Sequence, residues 1–562
     1  MARFPLLLLL ALCVQGPARA VSCKVLEAHA PSDAEQAFLA GHYDHAIELY
    51  RAQLEQRPND AVLIAGMEQV LLRQQKMAEA AELVNKAVAA NADSVVLLTA
   101  LGEVQFRQGT PWAAASTAEK AMKLDPCYPR LRLLLARVLR VNSMYGRESR
   151  EIATAHLLDP HDPGIRLQWL ESLPIQQRIA ELETYLAAGT GDDPEALMNL
   201  RFYLERLKKG VAEPHKACRL VSQTAATQIP FAAIMHDANH IASFGLDVKL
   251  NDRNARLQID TGAGGLVITR AVAERAGLKR FANGQLGGIG GEGERAAYTA
   301  YADSIRIGAL EFRDCEVEVI DKRSVLEVDG LIGMDVFSRF LVTLDYPMRK
   351  LALAPLPPRP DDVAVVQPTL KTGESEGDEP DSEDNAGDDT SSGAQAKKEA
   401  SKLPLPVARG PHDRYVAPEM KDWTPVYRVG HNLIVPTLLN KKETKLFILD
   451  TGAFSTTISP AVARQVTKVH EDDQITVKGI SGKVDKVYAA DNLDFRFGNV
   501  DQPGRDIVAF ETPQVSKGIG MEIAGFIGAT TLGQLTMTID YRDALVRFSY
   551  DANRGYRNPN GP

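Results

Sequence analysis

The stretches LQIDTGAGGLVIT at 257–269 and LFILDTGAFSTTIS at 446–459 decide the reading of this chain. Each is a short apolar run of strand-forming residues that ends on Asp-Thr-Gly-Ala, at 260–263 and 450–453. Each is followed by a glycine-rich turn, LGGIGGEGE at 286–294 and VKGISGKV at 477–484, and then by an apolar-apolar-Gly element, GLIGMDVF at 330–337 and GFIGATTL at 525–532. Closing strands follow, FLVTLDY at 340–346 and LTMTIDY at 535–541. Asp260 to Gly333 is 73 residues and Asp450 to Gly528 is 78, while Gly333 to Asp345 and Gly528 to Asp540 are both 12. An isolated Asp-Thr-Gly arises readily by chance. Two copies with matched downstream spacing predict a duplicated all-β unit, with domains at 226–356 and 423–553.

The residue types suit acid–base work. Two carboxylates held about 3 Å apart cannot both ionise, so one keeps a proton while the other acts as a base toward a shared water. Asp260 and Asp450 are the candidate pair. Thr261 and Thr451 carry hydroxyls able to bond across the pair and hold the two loops level. Gly262 and Gly452 are expected to let the backbone turn tightly and bring N–H groups toward the carboxylates.

On these residues the chain resembles the retropepsin-like (clan AA) aspartic proteases. The resemblance covers about 260 of the 562 residues. It implies retropepsin or pepsin-like barrel domains, with water activated between Asp260 and Asp450 for attack on a peptide carbonyl, no metal and no other cofactor. By the same resemblance Gly287, Gly288, Ile289, Gly290 and Gly291 form a flap, and Gly479, Ile480, Ser481 and Gly482 a second one. Two motifs in one chain imply a monomer with an internal pseudo-dimer; the other arrangement is a homodimer in which each Asp meets its own copy. Ala263 and Ala453 stand where many pepsin-like enzymes have Ser or Thr, which removes a donor and implies a pH optimum less acid than pepsin's.

The first part of the chain, 24–215, is helical in texture. Pro58, Ala92, Pro126 and Pro160 lie 34 residues apart, and Ala46, Ala80 and Ala114 recur with the same period. This resembles the tetratricopeptide repeat, an all-α solenoid of stacked helical hairpins. The resemblance implies a surface for a polypeptide substrate or protein partner; the plainer reading is a structural spacer. Residues 357–422 are Pro-, Ser- and acid-rich, and 554–562 form a tail.

Net charge excludes little beyond a generally basic nucleic-acid binder: 64 Lys+Arg against 73 Asp+Glu leave −9, and 374–389 alone holds nine acids and no bases. Residues 1–20 read as a secretory signal, with an apolar run from Pro5 to Val14 and small residues Ala18 and Ala20 before the cut. No later stretch reads as a transmembrane segment. An exported protein, periplasmic or secreted, is expected. Cys23, Cys127, Cys218 and Cys315 remain after the signal; one or two bridges are open in any of three pairings, with buried or incidental thiols favoured.

Three other signals are weighed and set aside. GIGGEG at 288–293 fits a dinucleotide fingerprint, but no helix opens after it. His236 and His240 have helical metal-pair spacing without the Glu of the metalloprotease motif or a third ligand. Asp345 and Asp540 read as structural, capping turns after late strands. The rival to an endopeptidase is a non-catalytic exported scaffold whose protease-like domains no longer cleave.

Overall fold

The computed structural model describes residues 23–188, 190–235, 241–290, 295–320, 328–360, 412–472 and 474–554. The expected signal segment, most of the linker, His236, His240, Gly291 and the last residues lie outside them.

The period of 34 becomes helix geometry. Ala61–Arg73, Val95–Arg107, Pro129–Val141 and Pro163–Trp169 form one series, and Tyr43–Gln56, Met77–Ala90, Pro111–Leu124 and Tyr145–Leu158 the other. Side-chain caps set several starts: Asp60 accepts from the N–H of Val62 at 3.0 Å, Ser94 from Leu97 at 3.3 Å, and Asp162 from Ile165 at 3.0 Å. Proline opens Pro111–Leu124, Pro129–Val141 and Pro163–Trp169, where its missing N–H costs nothing. Ala46, Ala80 and Ala114 are fully buried, which lets the helices of each hairpin approach closely. Two further helices, Ile175–Ala187 and Pro194–Ala212, carry the array to the β region. Among the described residues no helix is long and apolar enough to cross a membrane.

The thiols are not incidental. Cys23 is bonded to Cys127 and Cys218 to Cys315, so the first bridge ties the start of the described chain to the turn before Pro129–Val141. The second fastens strand Arg219–Leu220 to Leu310–Ile320, its partner in the sheet. Sequence spacing carried no signal for either, because the partners lie 104 and 97 residues apart.

Both β lobes use one strand order. In the first, Leu310–Ile320, Leu266–Thr269, Gly330–Gly333, Arg253–Asp260, Ile241–Leu250 and Arg295–Ile307 are successive neighbours. In the second, Ile507–Ala509, Thr457–Ile458, Gly525–Ile527, Glu443–Leu449, Asn432–Leu439 and Leu493–Phe497 follow the same path. The expectation of barrels needs correction in the second lobe only. In the first lobe Arg295–Ile307 also pairs antiparallel with Leu310–Ile320 and closes the ring, with Arg219–Leu220 and Arg280–Leu286 added outside it; among the described residues the second sheet stays open and runs out to edge strands Val469–Glu471 and Val500–Gly504. The added edge pairings carry the flap arms and the disulfide-tied strand past the core.

A third sheet joins the lobes. The two closing strands, Phe340–Asp345 and Thr536–Asp540, pair antiparallel with Thr343 opposite Thr538, and their hydroxyls meet at 3.2 Å. Outer strands Lys350–Pro355 and Leu545–Ser549 flank them. Asp345 and Asp540 do cap turns here, accepting from the N–H of Met348 at 3.1 Å and Asp543 at 3.0 Å. One continuous apolar core runs through both lobes, including Leu344, Leu351, Met537 and Val546. Burial of such side chains, at about 1.5–3 kcal/mol each, makes the lobe junction a folded core rather than a loose contact.

The helical array also packs on the second lobe. Leu98, Phe106, Leu131, Leu134 and Val138 share a cluster with Tyr427, Ile434, Leu446, Ile448, Met521 and Phe526. The Glu522 N–H donates to the Arg107 carbonyl at 2.8 Å. Both ends of the linker are held at one carboxylate. Buried Asp543 pairs with Arg359 near the linker's start and accepts from the Tyr415 N–H near its end, at 2.8 Å.

Candidate active site

Each Asp-Thr-Gly loop is delivered by a strand paired on both sides. Arg253–Asp260 lies parallel to Gly330–Gly333, with Gly333 opposite Asp260. Glu443–Leu449 lies parallel to Gly525–Ile527, and the Asp450 N–H donates to the Ile527 carbonyl at 3.0 Å. The apolar-apolar-Gly elements are therefore the inner strands beside the motif. They need glycine for space: a Cβ on Gly528 would stand 2.9 Å from the Thr456 nitrogen and one on Gly333 3.0 Å from the Gly265 nitrogen, with closer backbone atoms besides.

Asp260 and Asp450, from different lobes of one chain, are hydrogen-bonded to each other and only 9% and 8% exposed. Burial, and then the neighbouring Asp450 charge, pushes Asp260 well above the usual carboxylate range. Burial also raises Asp450, but the N–H of Ala453, the Asp260 hydrogen bond and the Gly452 N–H oppose it. The buried pair thus favours holding a proton between its two carboxyls. The N–H groups arrive as the sequence suggests: Gly262 donates to Asp260 Oδ1 at 2.8 Å, Gly452 and Ala453 to Asp450 Oδ1 at 2.9 Å.

The threonines lock the loops together. The Thr261 hydroxyl donates to the Leu449 carbonyl at 2.7 Å and accepts from the Thr451 N–H at 3.0 Å. The Thr451 hydroxyl donates to the Ile259 carbonyl at 3.3 Å and accepts from the Thr261 N–H at 3.1 Å. The reason for Gly262 and Gly452 differs from the one read in sequence. Neither adopts the left-handed conformation. Each instead leaves room for the opposite carboxylate: a Cβ on Gly452 would lie 2.5 Å from Asp260 Oδ2, and one on Gly262 2.9 Å from Asp450 Oδ1.

The flap residues also meet. Strands Arg280–Leu286 and Arg295–Ile307 carry the first flap, and Lys478–Gly479 and Gly482–Lys483 the second. The Gly288 N–H donates to Ser481 Oγ at 3.2 Å and the Ser481 N–H to the Ile289 carbonyl at 2.9 Å. Each tip reaches over the other lobe: Ile480 packs against the cluster of Val267, Ile320 and Leu331, and Ile289 against Val484, Val487 and Phe510. Gly290 lies at φ 138° and Gly482 at φ 96°, conformations that side chains resist. Gly287 follows strand Arg280–Leu286, and a Cβ on Gly479 would strike Ile289.

Three groups beside the dyad were not legible in sequence. Tyr346, fully buried, hydrogen-bonds Thr451 and is raised above the usual phenol range by burial. Tyr541, its repeat in the second copy, is buried with Arg428 over its ring at 5.7 Å. His431 reaches from the second lobe to the first, its Nε2 3.0 Å from the Gly262 carbonyl. The recurrence of Asp-Tyr in both copies was a usable signal for the tyrosines; the histidine had none. Among the described residues, no group of three or more His, Cys, Asp or Glu is arranged to hold a metal ion.

Comparison with known proteins agrees with this geometry over part of the chain. Residues 246–336 match the family model described as aspartyl protease. DNA damage-inducible protein 1 of Neurospora crassa is 22% identical over 211 residues, which is 34% of this chain and 47% of that protein. The chain thus spans about half the length of that curated relative. Among solved structures, a retropepsin-like aspartic protease from Rickettsia conorii is 22% identical, with 24% of this chain and 94% of that one covered at a TM-score of 0.18. A thermophilic TPR protein from Thermus thermophilus is 19% identical, with 31% and 95% covered at a TM-score of 0.25. With its first Asp-Thr-Gly strand inside the matched residues, the chain carries over 246–336 a domain similar to the aspartyl proteases, behind an array of helical hairpins.

Proposed function

We propose that the protein is an aspartic-type endopeptidase whose two lobes form one dyad within a single chain. The observation that carries this reading is the buried Asp260–Asp450 pair, one carboxyl from each lobe, in which burial raises both above the usual carboxylate range. Ionised Asp450 takes a proton from a water seated between the carboxyls, and the water oxygen attacks the peptide carbonyl carbon. Protonated Asp260 donates to the carbonyl oxygen as its charge develops. Collapse of the tetrahedral intermediate breaks the C–N bond, and the proton held by Asp450 passes to the leaving nitrogen. The flap tips close over the substrate backbone and exclude bulk water.

The helical repeats present a polypeptide partner or substrate to this unit. Their packing on the second lobe supports the narrower role of a brace, since the faces of Val95–Arg107 and Pro129–Val141 that meet the lobe are already covered. An exported location, periplasmic or secreted, is supported by two disulfides, which persist in oxidising compartments.

The test is cleavage of a denatured mixed-protein substrate from pH 3 to 8, with and without pepstatin. Pepstatin-sensitive cleavage is expected. A folded chain inert across that range, even after a linker cut, would give way to the non-catalytic scaffold.

A further inference from the structure

The two motif loops part directly after Asp-Thr-Gly-Ala. Four residues beyond Asp260 stands Gly264, and four beyond Asp450 stands Phe454, which is 77% exposed. The space beside Gly264 is taken by His431, from the turn before strand Asn432–Leu439: a Cβ at 264 would lie 2.5 Å from its Nδ1. A carbonyl only accepts, so the 3.0 Å contact with Gly262 fixes a proton on Nε2. An imidazole of the second lobe therefore holds the first lobe's Asp-Thr-Gly loop, on one side of the dyad.

We propose that His431 is a positioning residue of the dyad, clamping the Gly262 carbonyl across the lobe interface and placing a titratable cation beside Asp450. This rests on the peptidase reading above and supplies its regulation by pH. The groups facing the imidazole are Asp335 from Met334–Phe337, Arg428 from Tyr427–Val429, and Asp450. Asp335 is itself fixed by the Gly265 N–H at 2.9 Å, and Arg428 by the Gly430 carbonyl at 2.8 Å. Burial lowers the His431 affinity for its second proton; Asp335, the Gly262 carbonyl and Asp450 hold it up, and Arg428 opposes them. In return the imidazolium lowers Asp450. The asymmetry at Gly264 and Phe454 thus sets the imidazole beside one carboxyl of the dyad, Asp450, whose ionised form it favours.

The test uses the full mature chain and two readouts. In the first, His-labelled protein is titrated by NMR, with the His431 resonance assigned by its loss in His431→Gln. Removing the dyad charge in Asp260→Asn/Asp450→Asn should lower the His431 midpoint by about half a pH unit or more. An unmoved midpoint overturns the proposal, and this readout needs no cleavage, so it decides the matter even if the wild type proves inert. In the second, His431→Gln keeps a donor without the charge and His431→Phe keeps only bulk. The acid limb of kcat/KM should move to higher pH in both, with kcat about tenfold down in the Phe variant and within about threefold in the Gln variant. Wild-type pH profiles in both variants would leave His431 a packing residue and overturn the proposal.

Discussion

Gly452→Ala is the sharpest test of the dyad geometry. The added Cβ would lie 2.5 and 2.6 Å from the two oxygens of Asp260, about 0.9 Å short of the 3.4 Å at which ordinary contact begins. Asp260 cannot yield freely, because the Gly262 N–H holds its Oδ1 at 2.8 Å and strand pairing with Gly333 fixes its backbone. A misplacement of about 1 Å costs about 100-fold in rate, which is about 2.7 kcal/mol of transition-state stabilisation. Gly262→Ala makes a milder demand, since its Cβ meets Asp450 Oδ1 at 2.9 Å, a shortfall of about 0.5 Å. The expected order of kcat/KM is wild type, then Gly262→Ala, then Gly452→Ala, measured on one peptide with thermal melts alongside. Gly210→Ala is the control: nothing lies within 4 Å of its Cβ and the helix around it gains propensity. Gly452→Ala at wild-type activity, or Gly262→Ala falling further than Gly452→Ala, would refute the geometry.

Other perturbations follow from the same contacts. Thr451→Val removes the donor to Ile259 and orphans the Thr261 N–H, so stability should fall by about 1–3 kcal/mol in denaturant titration, with activity falling more than stability. Asp260→Asn should raise Tm at pH 7. Its folded carboxyl sits above the ordinary 3.8, so its contribution is fully present below that value and lost as pH rises through the folded pKa; the gain over wild type should therefore vanish below about pH 3.8 in pH-resolved melts. Gly109→Val should loosen the array from the second lobe, because Gly109 has φ 72° and its Cβ would meet the Glu522 carbonyl at 2.5 Å; faster limited proteolysis between 107 and 216 is the readout. Asp543→Ala removes the buried carboxylate that pairs with Arg359 and accepts from the Tyr415 N–H, and should lower stability by about 1–3 kcal/mol by denaturant unfolding.

Much of the architecture was legible because it repeats. The period of 34 is set by how one helical hairpin stacks on the next, so Ala46, Ala80 and Ala114 mark close packing before any coordinates. The matched spacing from Asp260 to Gly333 and from Asp450 to Gly528 reflects one strand order used twice. What stayed hidden depends on distant parts of the chain. The bonds of Cys23 and Cys218, the crossing of Ile289 and Ile480 onto opposite lobes, and the reach of His431 to Gly262 all join residues about 100 or more positions apart. Gly262 and Gly452 were singled out for tight turning, whereas the opposing carboxylates are what exclude a side chain there. The open second sheet was hidden for a similar reason, since edge pairings such as Val469–Glu471 on Tyr488–Ala490 have no local signature.

The measurement that tests the central claim most directly is specific activity against protein concentration for the wild type, Asp260→Asn and Asp450→Asn. A dyad made within one chain predicts that the wild-type value is unchanged on dilution and that each single substitution abolishes cleavage. Activity that falls on dilution, with about half retained by each variant, would place the two carboxylates in separate dimers and contradict it.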